Sequence, residues 1–328
     1  MEERTAWGLG LATVTDDGQT LDVWYPQPVL GPKPEDEQRD ILAELSSIEG
    51  PDPVRSVHRS LVRVQINLDA PPQSTADAYL RLHLLSHRLV KPNTINLESL
   101  HSRMPNVVWT TEGPAAADNF EPTRRRLRVD RGYPIHVLSV DRFPPMVNYV
   151  VPSGVRIAEA TKVRLGAYLA PGTTVAASAF VDYNSGSLGA AMIEGRLSRG
   201  VTVGEGSDIG GGASTFSGVG TGSQMMVSLG ERCLMGANSG LGIPLGDDCI
   251  VEAGLYVTPG TKVTVLPNAG VAPGADGHFA DPEVVLAKDL AGVSNVTFRR
   301  NSQTGRVEVL PRSGKRIELD PASKLNAI

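Results

Sequence analysis

From Ile157 to Val263 the chain repeats an apolar residue at intervals of six positions, with a few interruptions. Neither the 3.6-residue period of a helix nor the two-residue period of a strand produces this series. A hexapeptide repeat does, because each six residues form one flat face of a parallel β-helix and the apolar residue points into the coil. The series consists of Ile157, Val163, Leu169, Val175, Val181, Val203, Ile209, Leu229, Met235, Leu241, Leu245, Val251, Val257 and Val263.

The composition separates this repeat from the rest of the chain. Of the 35 glycines, 22 fall between residues 151 and 265, and aromatic residues make up 5% of the 328 residues. A slender coil has little room for rings, and its corners need residues that tolerate positive φ. We predict a mainly β protein with an α/β N-terminal domain (1–110), a connecting αβ segment (111–150), a parallel β-helix (151–265) and a β-rich C-terminal tail (266–328).

Outside the coil, the sequence predicts two helices. Ser74 and Asp77 have the spacing of a capping box before a helix over residues 75–90, which Lys91-Pro92 would end. His83 and His87 share one face of this helix and are expected to pack against the N-terminal core. A charged helix is expected near residues 121–128 and a strand near 133–140; the tail should contain a Gly/Pro-rich loop (267–282) and the strands NVTFRR, VEVL and RIEL.

The charge and the N-terminus restrict the partners and the location. A net charge of −5 and a pI near 5.7 argue against a general nucleic-acid binder, which would carry a basic face. The first residues lack the basic start and apolar run of a secretory signal, and no segment approaches the roughly 20 apolar residues of a membrane span. We expect a cytoplasmic enzyme without nucleic-acid or membrane partners, in which Cys233 and Cys249 are reduced core thiols.

Two kinds of chemistry are excluded within the coil. The glycine-rich run VGEGSDIG (203–210) is not followed by the helix that a dinucleotide fingerprint requires. A histidine base or a three-histidine zinc site cannot be built from the coil itself, because every histidine lies outside residues 151–265. The histidines are His58, His83, His87, His101, His136 and His278.

Carboxylates are the remaining candidates for catalysis. Glu194 lies at a break in the repeat, and a carboxylate near an apolar surface can accept a proton from an attacking amine. A salt bridge with Arg196 or Arg199 is the structural alternative. Other candidate carboxylates are Glu252 and the pair Asp247-Asp248, although they also suit ordinary coil corners.

The repeat breaks in three places. They are the run 183–201, the interval between Ile209 and Leu229 with its flexible stretch 214–224, and the slip between Leu241 and Leu245. Loops that leave a rigid scaffold usually carry binding groups. We therefore expect the functional site at these breaks.

Several runs of the sequence resemble the actinobacterial type of tetrahydrodipicolinate N-succinyltransferase. The longest are residues 185–214, which contain AMIEGRLSRG, and residues 229–263; LRLHLLSHR, NVVWT and FRRNS add to the resemblance. It implies a homotrimer of left-handed parallel β-helices. It also implies succinyl transfer from succinyl-CoA to the amino group of ring-opened tetrahydrodipicolinate, a step in diaminopimelate and lysine biosynthesis.

The resemblance also implies site residues. The family's catalytic glutamate corresponds to Glu194, which would act as a base or as a transiently acylated carboxylate. Leu286 stands where the family has a lysine, so Lys288 or Lys262 is expected to replace it. Neighbouring arginines on the 299–302 strand should face opposite ways. The implied succinyl-CoA contacts are Arg196, Gly211, Ser214, Ala237, Glu252, Ala253, Gly260, Lys288, Arg299, Arg300, Asn301 and Ser302.

Two departures from the family pattern bear on function. Thr161 and Ser178 stand where the family has acidic ligands for a divalent cation, and hydroxyls bind hard cations less well than carboxylates, so no metal site is predicted. The family's GTLSGGG loop is replaced by SGVGTGSQ (217–224). Besides the succinyl transfer, two alternatives stay open: an acyltransferase for another acyl-CoA or amino-dicarboxylate, and a weakly active paralogue in a mixed trimer. Glu194 and Arg196 argue against the last.

Overall fold

The computed structural model describes residues 3–216, 225–266 and 282–312. The chain divides into an N-terminal unit, Met1–Pro152 with Val163–Ala167, and a C-terminal unit, Ser153–Lys162 with Tyr168–Ile328. None of the described helices is long and apolar enough to cross a membrane. The predicted loops at 217–224 and 267–281 and the predicted RIEL strand (316–319) lie outside the described residues.

The N-terminal unit mixes strands and helices, as predicted. Its strands are β1 (Thr5–Thr15), β2 (Thr20–Trp24), β3 (Val29–Leu30), β4 (Gly50–Asp52), β5 (Val57–Asn67), β6 (Val107–Thr110), β7 (Gly113–Ala116) and β8 (Val137–Asp141). Its helices are α1 (Arg39–Ser47), α2 (Thr75–Ser86), α3 (Leu100–Arg103) and α4 (Phe120–Arg131), with a 3-10 turn at Met146–Asn148. The charged helix and the strand that were predicted after residue 120 are therefore confirmed as α4 and β8.

Both sheets of this unit are antiparallel. One has the order β2-β1-β5-β4, with β3 also paired to β1, and the other has the order β7-β6-β8. Glycines in β1 let the ring of Tyr25 approach the strand, because a Cβ added at Gly8 or Gly10 would lie 2.6 or 2.7 Å from that ring. Larger residues at these two positions would separate the Tyr25 ring from the sheet.

Helix α2 begins where the sequence predicts and ends four residues earlier. The Ser74 hydroxyl accepts a hydrogen bond from the Asp77 N–H at 3.1 Å, which confirms the predicted start. Arg88 adopts φ +63°, and the N–H groups of Arg88 and Leu89 donate to the carbonyls of Leu85 and Leu84. This left-handed cap closes the helix before Lys91-Pro92, so the predicted range 75–90 is wrong at its C-terminal end.

The polar side chains of α2 are buried and fully engaged. Arg81 is 1% exposed; its guanidinium pairs with Asp77 at 2.7 Å and donates to three backbone carbonyls. His83 accepts from the Tyr25 N–H through Nε2, so its Nδ1 carries the proton that bonds to the Tyr79 carbonyl. Burial lowers the pKa of His83 to about 3. Packing of His83 in the core is thereby confirmed.

The C-terminal unit is built almost entirely of short strands. In the coil these are β9 (Arg156–Ile157), β10 (Tyr168–Leu169), β11 (Thr174–Val175), β12 (Phe180–Val181), β13 (Gly186–Ser187), β14 (Ala191–Ile193), β15 (Arg196–Leu197), β16 (Thr202–Val203), β17 (Ser207–Ile209), β18 (Ser214–Thr215), β19 (Ser228–Leu229), β20 (Leu234–Met235), β21 (Gly240–Leu241), β22 (Ile250–Val251) and β23 (Tyr256–Val257). After them come β24 (Lys262–Val265), β25 (Glu283–Leu286), β26 (Val296–Arg300) and β27 (Val307–Pro311), with 3-10 turns at Ala160–Lys162 and Ala287–Leu290.

Three parallel sheets form the faces of the coil. Face 1 is β10-β13-β16-β19, face 2 is β9-β11-β14-β17-β20-β22, and face 3 is β12-β15-β18-β21-β23. Strand β26 continues face 2 by pairing parallel to β22 and antiparallel to β27. The predicted NVTFRR and VEVL strands are therefore confirmed.

Most of the hexad residues line the interior of the coil, as predicted. Leu169 and the series from Val175 to Val263 are buried, and Ile157 at the start is partly exposed. Val163 is buried as well, but it belongs to the N-terminal unit. The buried series also includes Ser187, Ile193, Leu197 and Thr215. The repeat therefore holds through most of residues 183–201, and its break is a single four-residue step from Ile193 to Leu197. Cys233 and Cys249 are free and buried, which confirms their prediction as core thiols.

Candidate active site

The turns between face 2 and face 3 stack along one edge of the coil. We call residues 194–195, 210–212, 236–238 and 252–254 the small-residue edge. Backbone hydrogen bonds join successive turns: the N–H groups of Glu194, Gly210 and Gly236 donate to the carbonyls of Ile209, Met235 and Val251 at 2.8, 2.9 and 2.8 Å. Residues that are far apart in sequence are thus brought into one column.

Glycine at this edge is required by the spacing between turns. An added Cβ would lie 2.7 Å from the Met235 carbonyl oxygen at Gly210, and 2.4 Å from the Ala253 nitrogen at Gly236. Such distances would force the backbone apart. The edge therefore presents backbone groups and small side chains to its surroundings.

The turn at Glu194 is shorter than the turns that follow it. Two residues connect β14 to β15, whereas four residues connect the corresponding strands at 210–213, 236–239 and 252–255. Gly195 is buried, while Gly211 is partly exposed and Ala237 and Ala253 are exposed. The short turn at 194–195 therefore lies closer to the coil than the four-residue turns, whose extra residues are the exposed ones.

The Glu194 side chain extends over the next turn of the coil. Its Oε2 lies near Gly211, where an added Cβ would be 3.8 Å away. Throughout the part of the chain that the structure describes, Glu194 makes no ion pair. The guanidinium of Arg196 instead lies 5.2 Å from the ring centre of Phe180 and that of Arg199 lies 5.8 Å from Tyr183. The salt bridge considered from the sequence is therefore not formed in this structure.

Asp208 is a second carboxylate beside Glu194, and it was missed in the sequence analysis. In the face 2 ladder it lies opposite Met192 on one side and Leu234 on the other, and both side chains are 40% exposed. Partial burial raises the pKa of Asp208, and the negative charge of Glu194 raises it further. The hexad register could have indicated Asp208, because it is the outward position next to Ile209, one turn after Glu194.

Several predicted contact residues lie on or beside the small-residue edge. Gly211, Ala237 and Ala253 belong to it, in successive turns. Arg196 and Ser214 are paired in register at the start of face 3. Together with Glu252, which also belongs to the edge, the structure therefore places six of the residues that the resemblance implies for succinyl-CoA on or beside the same edge as Glu194.

Glu252 has a structural engagement at the end of this edge. Its carboxylate Oε2 accepts a hydrogen bond from the Arg300 N–H at 2.6 Å, and its own N–H donates to the Phe298 carbonyl at 3.0 Å. The other candidate pair, Asp247-Asp248, is bound to Arg232, which lies 2.9 Å from Asp248 and lowers the pKa of that carboxyl. Of the four candidate carboxylates, Glu194 is the one that these contacts leave unpaired.

The two strand arginines differ in their partners. Arg299 forms an ion pair with Glu308 at 3.0 Å, and Asn301 donates to the same carboxylate at 2.7 Å. The Arg300 guanidinium donates to the Gly305 carbonyl, and in the described segments it has no ion pair. Arg300 is thus the one whose charge is not neutralised, while Ser302 lies exposed in the following turn.

Gly260 and Lys288 lie at a different edge, after face 3. The Lys288 N–H donates to the Pro259 carbonyl at 3.1 Å, and Leu286 lies opposite Lys262 in the β24–β25 ladder. Lys262 and Lys288, the two expected replacements for the family lysine, are thus both next to Gly260, and both are exposed. The interval containing 217–224 and the slip at 241–245 follow face 3 as well, so the three breaks of the repeat are divided between two edges.

The positions expected for a divalent cation do not fit one. The Thr161 hydroxyl donates to the Glu159 carboxylate at 3.0 Å and the Ser178 hydroxyl donates to the Glu194 carbonyl at 3.2 Å. Over residues 3–216, 225–266 and 282–312 no group of three or more His, Cys, Asp or Glu side chains could hold a metal ion.

The fold and this edge define a protein of the hexapeptide-repeat class. A family model described as the hexapeptide repeat of succinyl-transferase matches residues 226–259, and one described as the tetrahydrodipicolinate N-succinyltransferase middle matches residues 104–144. A crystal structure from Campylobacter jejuni, described as a 2,3,4,5-tetrahydropyridine-2-carboxylate N-succinyltransferase, superposes with a TM-score of 0.78 at 28% identity, over 95% of this chain and 93% of that one. The predicted left-handed parallel β-helix is confirmed by these matches.

Two relatives identify the family. A 2,3,4,5-tetrahydropyridine-2,6-dicarboxylate N-succinyltransferase from Vibrio cholerae is 42% identical over 93% of this chain and 94% of its own length. One from Pseudomonas aeruginosa is 51% identical over 76% of this chain and 70% of its own length. The chain belongs to the tetrahydrodipicolinate N-succinyltransferase family, as the sequence predicted; the actinobacterial subtype stays a prediction.

Proposed function

We propose that this chain transfers a succinyl group from succinyl-CoA to the amino group of ring-opened tetrahydrodipicolinate, in diaminopimelate and lysine biosynthesis. One observation carries the proposal: Glu194, a carboxylate that forms no ion pair with the residues that the structure describes, lies on the shortened turn of an edge lined by small residues, in a chain of this family. A carboxylate with no ion-pair partner is free to accept a proton. The edge provides a path for a long, thin co-substrate.

Glu194 acts on the attacking amine. The amino nitrogen attacks the thioester carbonyl carbon, and the C–N bond forms as the C–S bond breaks. The ammonium group of the acceptor gives one proton to solvent before it attacks. The second proton, which the nitrogen loses on attack, goes to Glu194 and then to the CoA sulfur, which leaves an amide and the CoA thiol. In the covalent variant, Glu194 is acylated first and the amine then displaces it.

Asp208 holds the acceptor in this scheme. The acceptor carries an ammonium group before it reacts, and a second carboxylate beside Glu194 attracts that cation. Met192 and Leu234 flank Asp208 in the face 2 ladder and provide apolar surface for the body of the acceptor. One carboxylate thus positions the amine while the other accepts its proton.

The pantetheine arm of CoA lies along Gly211, Ala237 and Ala253, where small side chains leave the backbone accessible. Arg196 and Ser214 lie at the reactive end, and Arg300 contacts a CoA phosphate, because Arg299 is already paired with Glu308. At the other edge, beside Gly260, Lys288 or Lys262 provides a second cation for the CoA phosphates.

The proposed homotrimer follows from the two edges. The predicted CoA-contact residues are divided between the small-residue edge and the edge at Gly260, so a second copy of the chain is needed to place both groups on one CoA molecule. A stable monomer in sedimentation experiments would contradict this arrangement. The expected cytoplasmic location is part of the same proposal.

A thiol-release assay tests the function. Purified protein, succinyl-CoA and the ring-opened acceptor should release CoA thiol, and omission of the acceptor should abolish release. Acetyl-CoA and other amino-dicarboxylates are measured in parallel. Release only with one of these would support the alternative acyltransferase, and no release with any donor and acceptor would support the weakly active paralogue.

A further inference from the structure

The N-terminal unit contains a cavity of about 420 Å³ that shares no residue with the small-residue edge. Asp22 and Trp24 of β2 line it together with Trp109 of β6, Leu138 of β8 and Tyr149. A volume of this size suits a small organic molecule. The lining combines aromatic carbon with one buried carboxylate.

The Asp22 carboxylate is buried without a cation of its own. Asp22 is 6% exposed; its Oδ2 accepts a hydrogen bond from the Tyr149 hydroxyl at 2.5 Å, and no hydrogen bond of ordinary geometry from the described residues reaches its Oδ1. Burial raises the pKa of Asp22, while Tyr149, Thr13 across the β1–β2 ladder and Arg55 lower it in part. A buried carboxylate oxygen in this state can accept a further donor.

Arg55, whose charge acts on Asp22, forms its hydrogen bonds with other groups. Arg55 lowers the pKa of Asp22 through its charge, but its guanidinium is already bonded to Asp52 at 2.8 Å and to the Pro114 carbonyl at 3.1 Å. An added Cβ at Gly113 would lie 2.4 Å from Arg55 Nη1, so the backbone is shaped to hold the guanidinium in that place. The negative charge of Asp22 is thus not matched by a direct ion pair.

The aromatic side chains have used their own donors. Trp109 donates its indole N–H to the Asp141 carbonyl at 2.8 Å, and Tyr149 donates its hydroxyl to Asp22. They therefore contribute ring surface to the cavity, together with Trp24, which is 37% exposed. Ring faces attract cations, and indole is the strongest of the natural rings in this respect.

We propose that this cavity binds a small organic cation, a primary ammonium on an apolar body, with the ammonium directed to Asp22 and the body against Trp24 and Trp109. An ammonium supplies a positive charge and a further N–H donor to a buried carboxylate that forms no ion pair within the described residues, and its charge interacts favourably with the indole rings. Anions are repelled by the same carboxylate. The site is independent of the proposed acyl transfer.

Intrinsic fluorescence of the full chain can test this proposal, because the three tryptophans are Trp7, Trp24 and Trp109 and two of them line the cavity. Benzylammonium should change the emission in a saturable manner. Benzyl alcohol, a neutral molecule of similar shape, and benzoate should bind at least about tenfold more weakly, since each lacks the charged donor.

Two substitutions complete the test. Asp22→Asn keeps the shape and the bond from Tyr149 but removes the charge, and should weaken benzylammonium binding about tenfold or more. Asp16→Asn removes one exposed carboxylate from the same unit and should leave binding unchanged. Trp24→Leu, at a partly exposed position, should also weaken binding and serves if Asp22→Asn fails to fold. Equal binding of benzyl alcohol, unchanged affinity in Asp22→Asn or Trp24→Leu, or no saturable signal would overturn the proposal.

Discussion

Charged side chains are buried and paired in helix α2, whereas at the small-residue edge they are outward-facing and form no ion pairs within the described residues. In α2, Arg81 and Asp77 are buried and bound to each other, and each has further hydrogen bonds. At the edge, Glu194 and Asp208 face outward and have no ion pair within the described residues. The coil is held together by its apolar interior and its backbone ladders, so it does not need the charges on its surface. Charges that a fold does not need are available for chemistry.

The largest expected effect is on turnover at the edge. Glu194→Gln should lower kcat about 100- to 10,000-fold, because the amide cannot accept the proton, while stability changes little. The measurement is steady-state thiol release with both substrates saturating. Glu205→Gln, at an exposed position of the same coil, should keep wild-type kcat. A Glu194→Gln enzyme of normal kcat would remove the proposed base.

Removal of a charged side chain from α2 should lower the stability of the fold and not the rate of turnover. Arg81→Met leaves the buried Asp77 carboxylate without its cation and removes one donor from each of three carbonyls, and should cost about 3–5 kcal/mol of unfolding free energy. Urea denaturation followed by tryptophan fluorescence measures this unit, because all three tryptophans lie within it. The exposed pair Arg124–Glu121 is the control, and Arg124→Met should cost less than about 1 kcal/mol. Similar losses in both variants would contradict the comparison.

His83 should make the N-terminal unit sensitive to acid. Its folded-state pKa of about 3 lies below the ordinary value of 6.5, so the unfolded chain binds a proton first as pH falls. Stability from this group is complete above pH 6.5 and is lost between pH 6.5 and 3, at about 1.4 kcal/mol per pH unit. Denaturation curves recorded at several pH values give the unfolding free energy as a function of pH. His83→Gln should lose the fall in unfolding free energy between pH 6.5 and 3 that comes from this group, whereas the exposed variant His101→Gln should retain it.

At the edge, a smaller effect is expected on CoA affinity. Arg300→Ala should raise KM for succinyl-CoA about tenfold without a comparable change in kcat, since one charge-assisted contact with a phosphate is removed. The exposed Arg306→Ala should not. Succinyl-CoA analogues that each lack one phosphate identify the phosphate that Arg300 contacts. With the analogue that lacks this phosphate, wild type and Arg300→Ala should have the same KM. If wild type and Arg300→Ala have the same KM for succinyl-CoA itself, Arg300 does not contact CoA.

The smallest effect tests the role of the second carboxylate. Asp208→Asn removes a negative charge that attracts the ammonium group of the acceptor, so the KM for the acceptor should rise about threefold. The KM for succinyl-CoA should stay constant in the same steady-state measurements. An unchanged KM for the acceptor would show that Asp208 does not hold it.

The fold was largely predictable, and the reasons can be seen in particular residues. The hexad rule depends on packing within each turn, so Val175, Val203 and Val251 reveal the coil without knowledge of distant residues. Ser187 and Thr215 occupy interior positions of the repeat and are fully buried, but they are polar, so a search for apolar residues alone does not find these two positions. The end of α2 was missed because Arg88, an unremarkable residue in the sequence, takes the left-handed conformation that closes the helix.

The sequence by itself determined the hexapeptide coil and the break at Glu194, because each follows from residues a few positions apart. Its longer runs determined the family and, through the resemblance, the left hand of the coil. Only the tertiary structure decided which charges remain available. Glu308 neutralises Arg299 across a hairpin, the backbone N–H of Arg300 binds Glu252 and leaves the Arg300 guanidinium without an ion pair among the described residues, and Asp208 comes beside Glu194 one turn later. Such pairings depend on the register of strands that meet only after folding, and register sets which charges are paired and which are left for a substrate.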